Sequence, residues 1–125
     1  MTKKQDLGLR IRFFEYQGKR ILLVDFSNCT AREAEEITRS VPDYVTPEPL
    51  GSVLILSNFA EGSFDKAALN AMKETAVFDK PYVKKSALIG TISLPREFHD
   101  EMKIYSRREF AVFATREDAL KWLVN

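Results

Sequence analysis

One histidine, His99, and one cysteine, Cys29, are all that this 125-residue sequence offers to the commonest catalytic chemistries. A Ser-His-Asp or Cys-His site would have to use His99, which helical periodicity sets between Phe98 and Asp100 on a helix flank, a surface position. Neither Gly-x-Ser-x-Gly nor a cysteine-centred motif occurs. Tetrahedral zinc needs two ligands beyond that separated pair, and no carboxylates stand at a spacing to supply them. Glu33, Glu35 and Glu36 lie near the positive amino end of a helix, where solvated carboxylates are ordinarily found. The five glycines form neither Gly-x-Gly-x-x-Gly nor a lysine-bearing phosphate loop. No catalytic residue, metal ligand or cofactor is expected.

Two other features have chemical content. Between Lys80 and Arg108 seven basic residues stand against Glu97, Asp100 and Glu101. Lys84 and Lys85 open one strand while Arg107 and Arg108 precede its neighbour. The two pairs therefore reach one end of a sheet, either as an anion site or as a solvated rim. The second feature is Ser63, which precedes a helical run just after a buried strand. It is a candidate phospho-acceptor, since a phosphate there would meet free amides and the helix dipole; it also suits an N-cap. Ligands of open parallel sheets generally bind beyond the carboxyl ends of the strands. Here that edge comprises Phe26-Ser27-Asn28, Ser57-Asn58-Phe59 and Thr91-Ile92-Ser93.

The elements that position these residues follow from hydrophobic pattern. Arg10–Tyr16 alternates as an edge strand, and Gln17-Gly18-Lys19 turns it into the unbroken apolar run Ile21–Val24. Thr30 and Glu33 form a capping box for a helix carrying Ala34, Ile37, Val41 and Tyr44, which Pro42, Pro47 and Pro49 are expected to stop. Val53–Leu56 is the next buried strand. A second helix carries Ala68, Leu69, Met72 and Ala76, and Ala87–Gly90 follows as a strand. Pro95 suits the first turn of a third helix with Phe98, Met102 and Tyr105 on one stripe. Phe110–Phe113 is the last strand, and Thr115 caps a closing helix with Ala119, Leu120, Trp122, Leu123 and Val124 on its buried side. Strands alternating with helices imply right-handed crossovers. The expected class is α/β: a mixed, mostly parallel five-stranded sheet with an antiparallel first edge strand and about four helices.

Composition bounds the rest. With 45% hydrophobic and 30% charged residues and a formal charge of +1, the chain reads as one domain over residues 1–125, without a field that draws it to nucleic acid or anionic membrane. No aromatic interleaving suggests a nucleic-acid platform. No window reaches the ~18 apolar residues of a membrane span, Met1–Asp6 leads into no apolar signal region, and a lone cysteine favours a reducing compartment. A cytoplasmic protein is expected, with a homodimer through the first edge strand left open.

Three segments, Lys80–Gly90, Tyr105–Phe110 and Phe113–Leu123, together resemble the SpoIIAA-like, or STAS-like, small bacterial proteins, whose chains similarly close on a Phe, a capped helix and Ala-x-x-Trp-Leu. The similarity covers most of the chain from about Gly18. It implies a mixed sheet packed with helices, as in STAS domains and, more distantly, the CRAL-TRIO lipid-transfer fold. It also implies a non-enzymatic role: a phospho-switched protein partner, a cytoplasmic part of an anion transporter or a small-ligand sensor. Ser63, within Glu61-Gly62-Ser63-Phe64, falls on the family's acceptor position, without the Asp-Ser before it or the Gly after it. The expected function is thus a regulatory or protein-interaction module with Ser63 as candidate switch. The alternative is a binding domain for a small anionic or amphipathic ligand, lipid-like or nucleotide-like, held near Lys84, Lys85, Arg107 and Arg108.

Overall fold

A two-residue turn starts the sheet. Gln17 and Gly18 both take positive φ, 50° and 79°, as a hairpin turn matched to strand twist requires. They join β1 (Ile11–Tyr16) to β2 (Lys19–Asp25), which pair antiparallel from Tyr16↔Lys19 to Ile11↔Val24. The computed structural model describes residues 4–125; Met1–Lys3, where the opening segment begins, lie outside the described residues.

After β2 the chain alternates α2 (Ala31–Val45), β3 (Val53–Asn58), α3 (Lys66–Asp79), β4 (Val83–Ile89), α4 (Phe98–Ser106), β5 (Ala111–Val112) and α5 (Arg116–Val124). The sheet order is β1-β2-β3-β4-β5, with β2 through β5 mutually parallel. This is the expected α/β architecture. Side chains alternate across the sheet, and each face has its own core. Leu22, Val24, Val53, Ile55 and Leu88 point toward α2, α3 and α4, whereas Ile21, Leu23, Leu54, Leu56, Ala87 and Ile89 point toward α5. Fully burying each large aliphatic side chain among these stabilises the fold by roughly 1.5–3 kcal/mol.

Several boundaries differ from the expectation, each for a local reason. A short helix, α1 (Lys4–Arg10), occupies the residues before β1, so Arg10 ends a helix instead of opening a strand. Leu7 packs on the larger core, and Arg10 Nη1 donates to the carbonyls of Asp25 and Ser27 at 3.3 and 2.5 Å. Pro42 does not stop α2. It lies in the last turn, where only the bond its missing N–H would make is lost, while buried Val41 and Val45 hold the helix down and Thr46 N–H closes on Pro42 O at 3.0 Å. The region from Pro42 to Val45 is therefore helix, and the connection to β3 begins after it. Pro95 precedes α4 as part of a turn, with Phe98 N–H on its carbonyl at 3.0 Å. In α4 Phe98, Met102 and Ser106 form the buried stripe and Tyr105 is exposed, because the helix presents i, i+4 and i+8 to the core. Strand β5 keeps only Ala111 and Val112: Phe110 is drawn into the core beneath α4, and Phe113 packs against Trp122 at 5.5 Å.

Among the described residues, no helix is long and apolar enough to cross a membrane.

Candidate functional site

The larger core is incompletely filled. Sheet positions that would close it carry Ser57 on β3 and Ser86 on β4, and α3 brings Ala76 to the same space. The result is a cavity of about 80 Å³ under α2, α3 and α4, with Val24, Ile55, Met72, Leu88, Met102 and Phe110 among its walls. Thr38 and Thr75 also line it, but their hydroxyls donate back to Ala34 O (2.8 Å) and Ala71 O (2.5 Å), leaving their methyl groups for the cavity. The lining is thus mostly apolar, with the Ser57 hydroxyl on one wall and the strongly polar groups gathered at one end.

That end is built by Asp79, Ser86 and Arg108. Asp79 is the last residue of α3 and continues the stripe of Ala68, Met72 and Ala76, so helical spacing carries a carboxylate inward. It is only 4% exposed, and its Oδ1 has no hydrogen-bond partner. Arg107 caps α4 in the left-handed conformation, φ 58°, and turns the chain so that Arg108 points back over the Phe110 ring, 4.8 Å from its centroid. Arg108 Nη1 donates to Ala76 O at 3.1 Å and Nη2 to Ser86 Oγ at 2.6 Å. Burial pushes the Asp79 carboxyl up from 3.8 to about 7, and the Arg108 charge only partly offsets this. Burial likewise lowers Arg108 from the ordinary arginine range to about 10, opposed by the attraction of Asp79. A desolvated acid and a desolvated base at the polar end of an apolar cavity cost the fold stability, as binding sites commonly do.

The four cations singled out in the sequence do gather. Lys84, Lys85, Arg107 and Arg108 line a surface basin of about 290 Å³ at the amino end of β4, together with Lys80 and Glu109. Their roles differ. Lys84 and Arg107 are exposed. Lys85 points to the opposite face of the strand, where its Nζ donates to Trp122 O and Asn125 O, both at 2.9 Å, and lies 4.9 Å from the Trp122 ring centre. Arg108 turns inward, and Glu109 is engaged by Lys103 at 3.2 Å.

Ser63 is exposed in the loop before α3 and does not cap it. The cap is Asp65, whose Oδ1 accepts from Ala68 N–H at 2.9 Å, while Ser63 N–H bonds Cys29 O at 2.9 Å. Asp65→Ala is accordingly expected to cost about 1 kcal/mol and Ser63→Ala less than about 0.5 kcal/mol in urea unfolding. Cys29 is buried, and burial raises its thiol pKa, which suits a packing residue. His99 Nε2 donates to Phe110 O at 2.9 Å, and the acids of α2 form the capping box (Glu33) and i,i+4 ion pairs to Arg39 (Glu35) and Arg32 (Glu36).

At the carboxyl edge of the sheet, the general expectation for a ligand crevice, a surface basin of about 550 Å³ lies among Thr91, Ile92, Leu94, Pro95, Arg96 and His99, while the loops after β2 and β3 are tied together by Asn28 N–H on Ala60 O at 3.0 Å. Crevices form where strand order reverses, and the parallel strands here run in simple sequence, so all three crossover helices lie on one face. The edge loops satisfy one another: Asp25 Oδ1 accepts from Ser27 N–H, Asn58 Oδ1 from Ala60 N–H and Ser93 Oγ from Glu61 N–H, at 2.9 to 3.0 Å. Gly90, at φ 69°, lies so near Ala60 that a Cβ would come within 2.5 Å of the Ala60 nitrogen.

Asp79 and Ser86 are the functional candidates that pattern reading passed over. Their signals were present: an acid on the apolar stripe of a helix, and a serine inside a strand otherwise apolar on that side. Among known proteins, no family model matches the chain, and no curated protein or solved structure does so either.

Proposed function

We propose that this domain is a non-enzymatic binding module for a small anionic or amphipathic ligand whose apolar part occupies the cavity under α2, α3 and α4. The observation that carries the reading is the buried, unpartnered Asp79 Oδ1 beside Arg108, at the charged end of a mostly apolar space. A buried polar oxygen without a partner is uncommon in a finished core and marks this space as one the fold leaves unfilled. The named side chains include no nucleophile and base pair, which supports binding over catalysis.

Octanoate titrated into protein carrying ¹³C-labelled methionine methyl groups tests this. Met72 and Met102 both line the cavity, so saturable shifts of both resonances are expected. Filling the space from opposite walls, with Ala76→Leu or with Ser57→Leu, is expected to abolish them while the fold persists in at least one variant. Unmoved methyl resonances at millimolar octanoate, or unchanged binding in the folded filled variant, overturn the proposal.

The STAS-like regulatory reading stands second, supported by the exposure of Ser63 beyond β3. In it the domain engages a protein partner, and phosphorylation at Ser63 alters that surface without the aid of a free helix cap.

A further inference from the structure

The cavity and the cationic basin are neighbours that share two residues, Ser86 and Arg108. Where they meet, Arg108 Nη2 donates to Ser86 Oγ at 2.6 Å and Nη1 to Ala76 O at 3.1 Å. We infer that the ligand is a free single-chain amphiphile with an anionic head, which keeps that head in the basin among Lys84, Arg107 and Arg108 and passes its tail between Ser86 and Arg108 into the cavity. The inference rests on the cavity reading above and adds the ligand's charge, orientation and route.

Size argues first. A cavity of about 150 Å³ holds one benzene; at about 80 Å³ this one accepts only the end of an alkyl chain. The remainder of any such molecule lies outside, and the adjoining basin is several times larger, at about 290 Å³. Charge argues second. Lys80, Lys84, Arg107 and Arg108 line the basin against Glu109, which Lys103 already engages, while the Lys85 ammonium is held on the opposite face of the strand. Lys84 and Arg107 are exposed and open to an anion. Arg108 completes the case, because its guanidinium is held by two neutral acceptors, Ala76 O and Ser86 Oγ. A charged acceptor forms hydrogen bonds roughly twice as strong as neutral ones. An incoming carboxylate therefore outcompetes Ser86 for Arg108, and the same movement that binds the head unlatches the passage for the tail. At the far end of the cavity Phe26 and Phe59 stack at 5.0 Å, with Phe64 set edge-on to both.

The test compares octanoate with octanol, which has the same tail and no charge, on the parent protein and on the double variant Lys84→Glu/Arg107→Glu. Both sites are exposed, so the variant is expected to fold. Octanoate is expected to shift the Met72 and Met102 methyl resonances in the parent and to bind at least tenfold more weakly to the variant; octanol is expected to shift the same resonances with the same affinity in both. Octanoate that still shifts both methionines with affinity unchanged by the charge reversal overturns this inference and leaves the cavity reading standing. Octanoate binding that the reversal weakens while neither methionine moves also overturns it, since the head then binds without a tail in the cavity. Methionines that respond to neither molecule remove the cavity reading and this inference together.

Discussion

At pH 8, Asp79→Asn is expected to unfold at a higher urea concentration than the parent chain, with a gain of up to about 4 kcal/mol. The sign follows from the raised carboxyl pKa, 3.8 in the unfolded chain and about 7 in the fold. Between those values the unfolded state has released a proton that the folded state retains, so stability falls as pH rises through that window. Three pH units at about 1.4 kcal/mol each set the size of the penalty, which is complete above pH 7 and absent below about pH 4. Asparagine keeps the shape and carries no charge. The gain should therefore fade as the urea series is repeated at pH 7, 6, 5 and 4, and equal midpoints at pH 8, or a gain indifferent to pH, contradict the burial argument. A destabilising acid kept at this position fits the binding role proposed for the cavity.

Gly90→Ala is expected to act in the opposite direction and to cost about 4 kcal/mol. Two separate effects add. An alanine at φ 69° carries left-handed backbone strain of about 1–3 kcal/mol, and its Cβ would meet the backbone of Ala60 at 2.5 to 2.9 Å, an overlap worth about 1–3 kcal/mol more. Backbone atoms cannot step aside as the tip of a flexible side chain can. Urea unfolding followed by circular dichroism checks the value, with Gly18→Ala as the comparison, since Gly18 shares the positive φ but has nothing within 4 Å of its would-be Cβ. Loss at Gly90 no greater than at Gly18 would mean that the approach of the two loops carries no energy.

The architecture was legible because its signals are local. Thr30 and Glu33 announce α2 within four residues, the runs Ile21–Val24 and Val53–Leu56 announce strands covered on both faces, and Thr115 announces α5. Where reading failed, the deciding contact was distant. Leu7 and Arg10 make α1 worthwhile only through β2 and the core, and Pro42 is tolerated because Val41 and Val45 are buried by other elements. The basin was partly visible, since strand openings at Lys84 and Arg107 can be aligned from order alone. The cavity was not. Ser57, Asp79, Ser86 and Arg108 come from four segments, and an empty volume has no residue to mark it. Arg108 was picked out as one of a surface pair, whereas the left-handed turn at Arg107 sends the two side chains of that pair to different environments.

The placement of α5 also bears on how the protein is made. Among the described residues every strand precedes this helix, which covers Ile21, Leu23, Leu54, Leu56, Ala87 and Ile89. Synthesis at about 5–20 residues per second adds Arg116–Val124 after the five strands, so there is an interval before this helix docks. During it, one greasy side of the nascent sheet is bare. Chains in which this helix has yet to dock are thus the ones most vulnerable to one another and most in need of a chaperone.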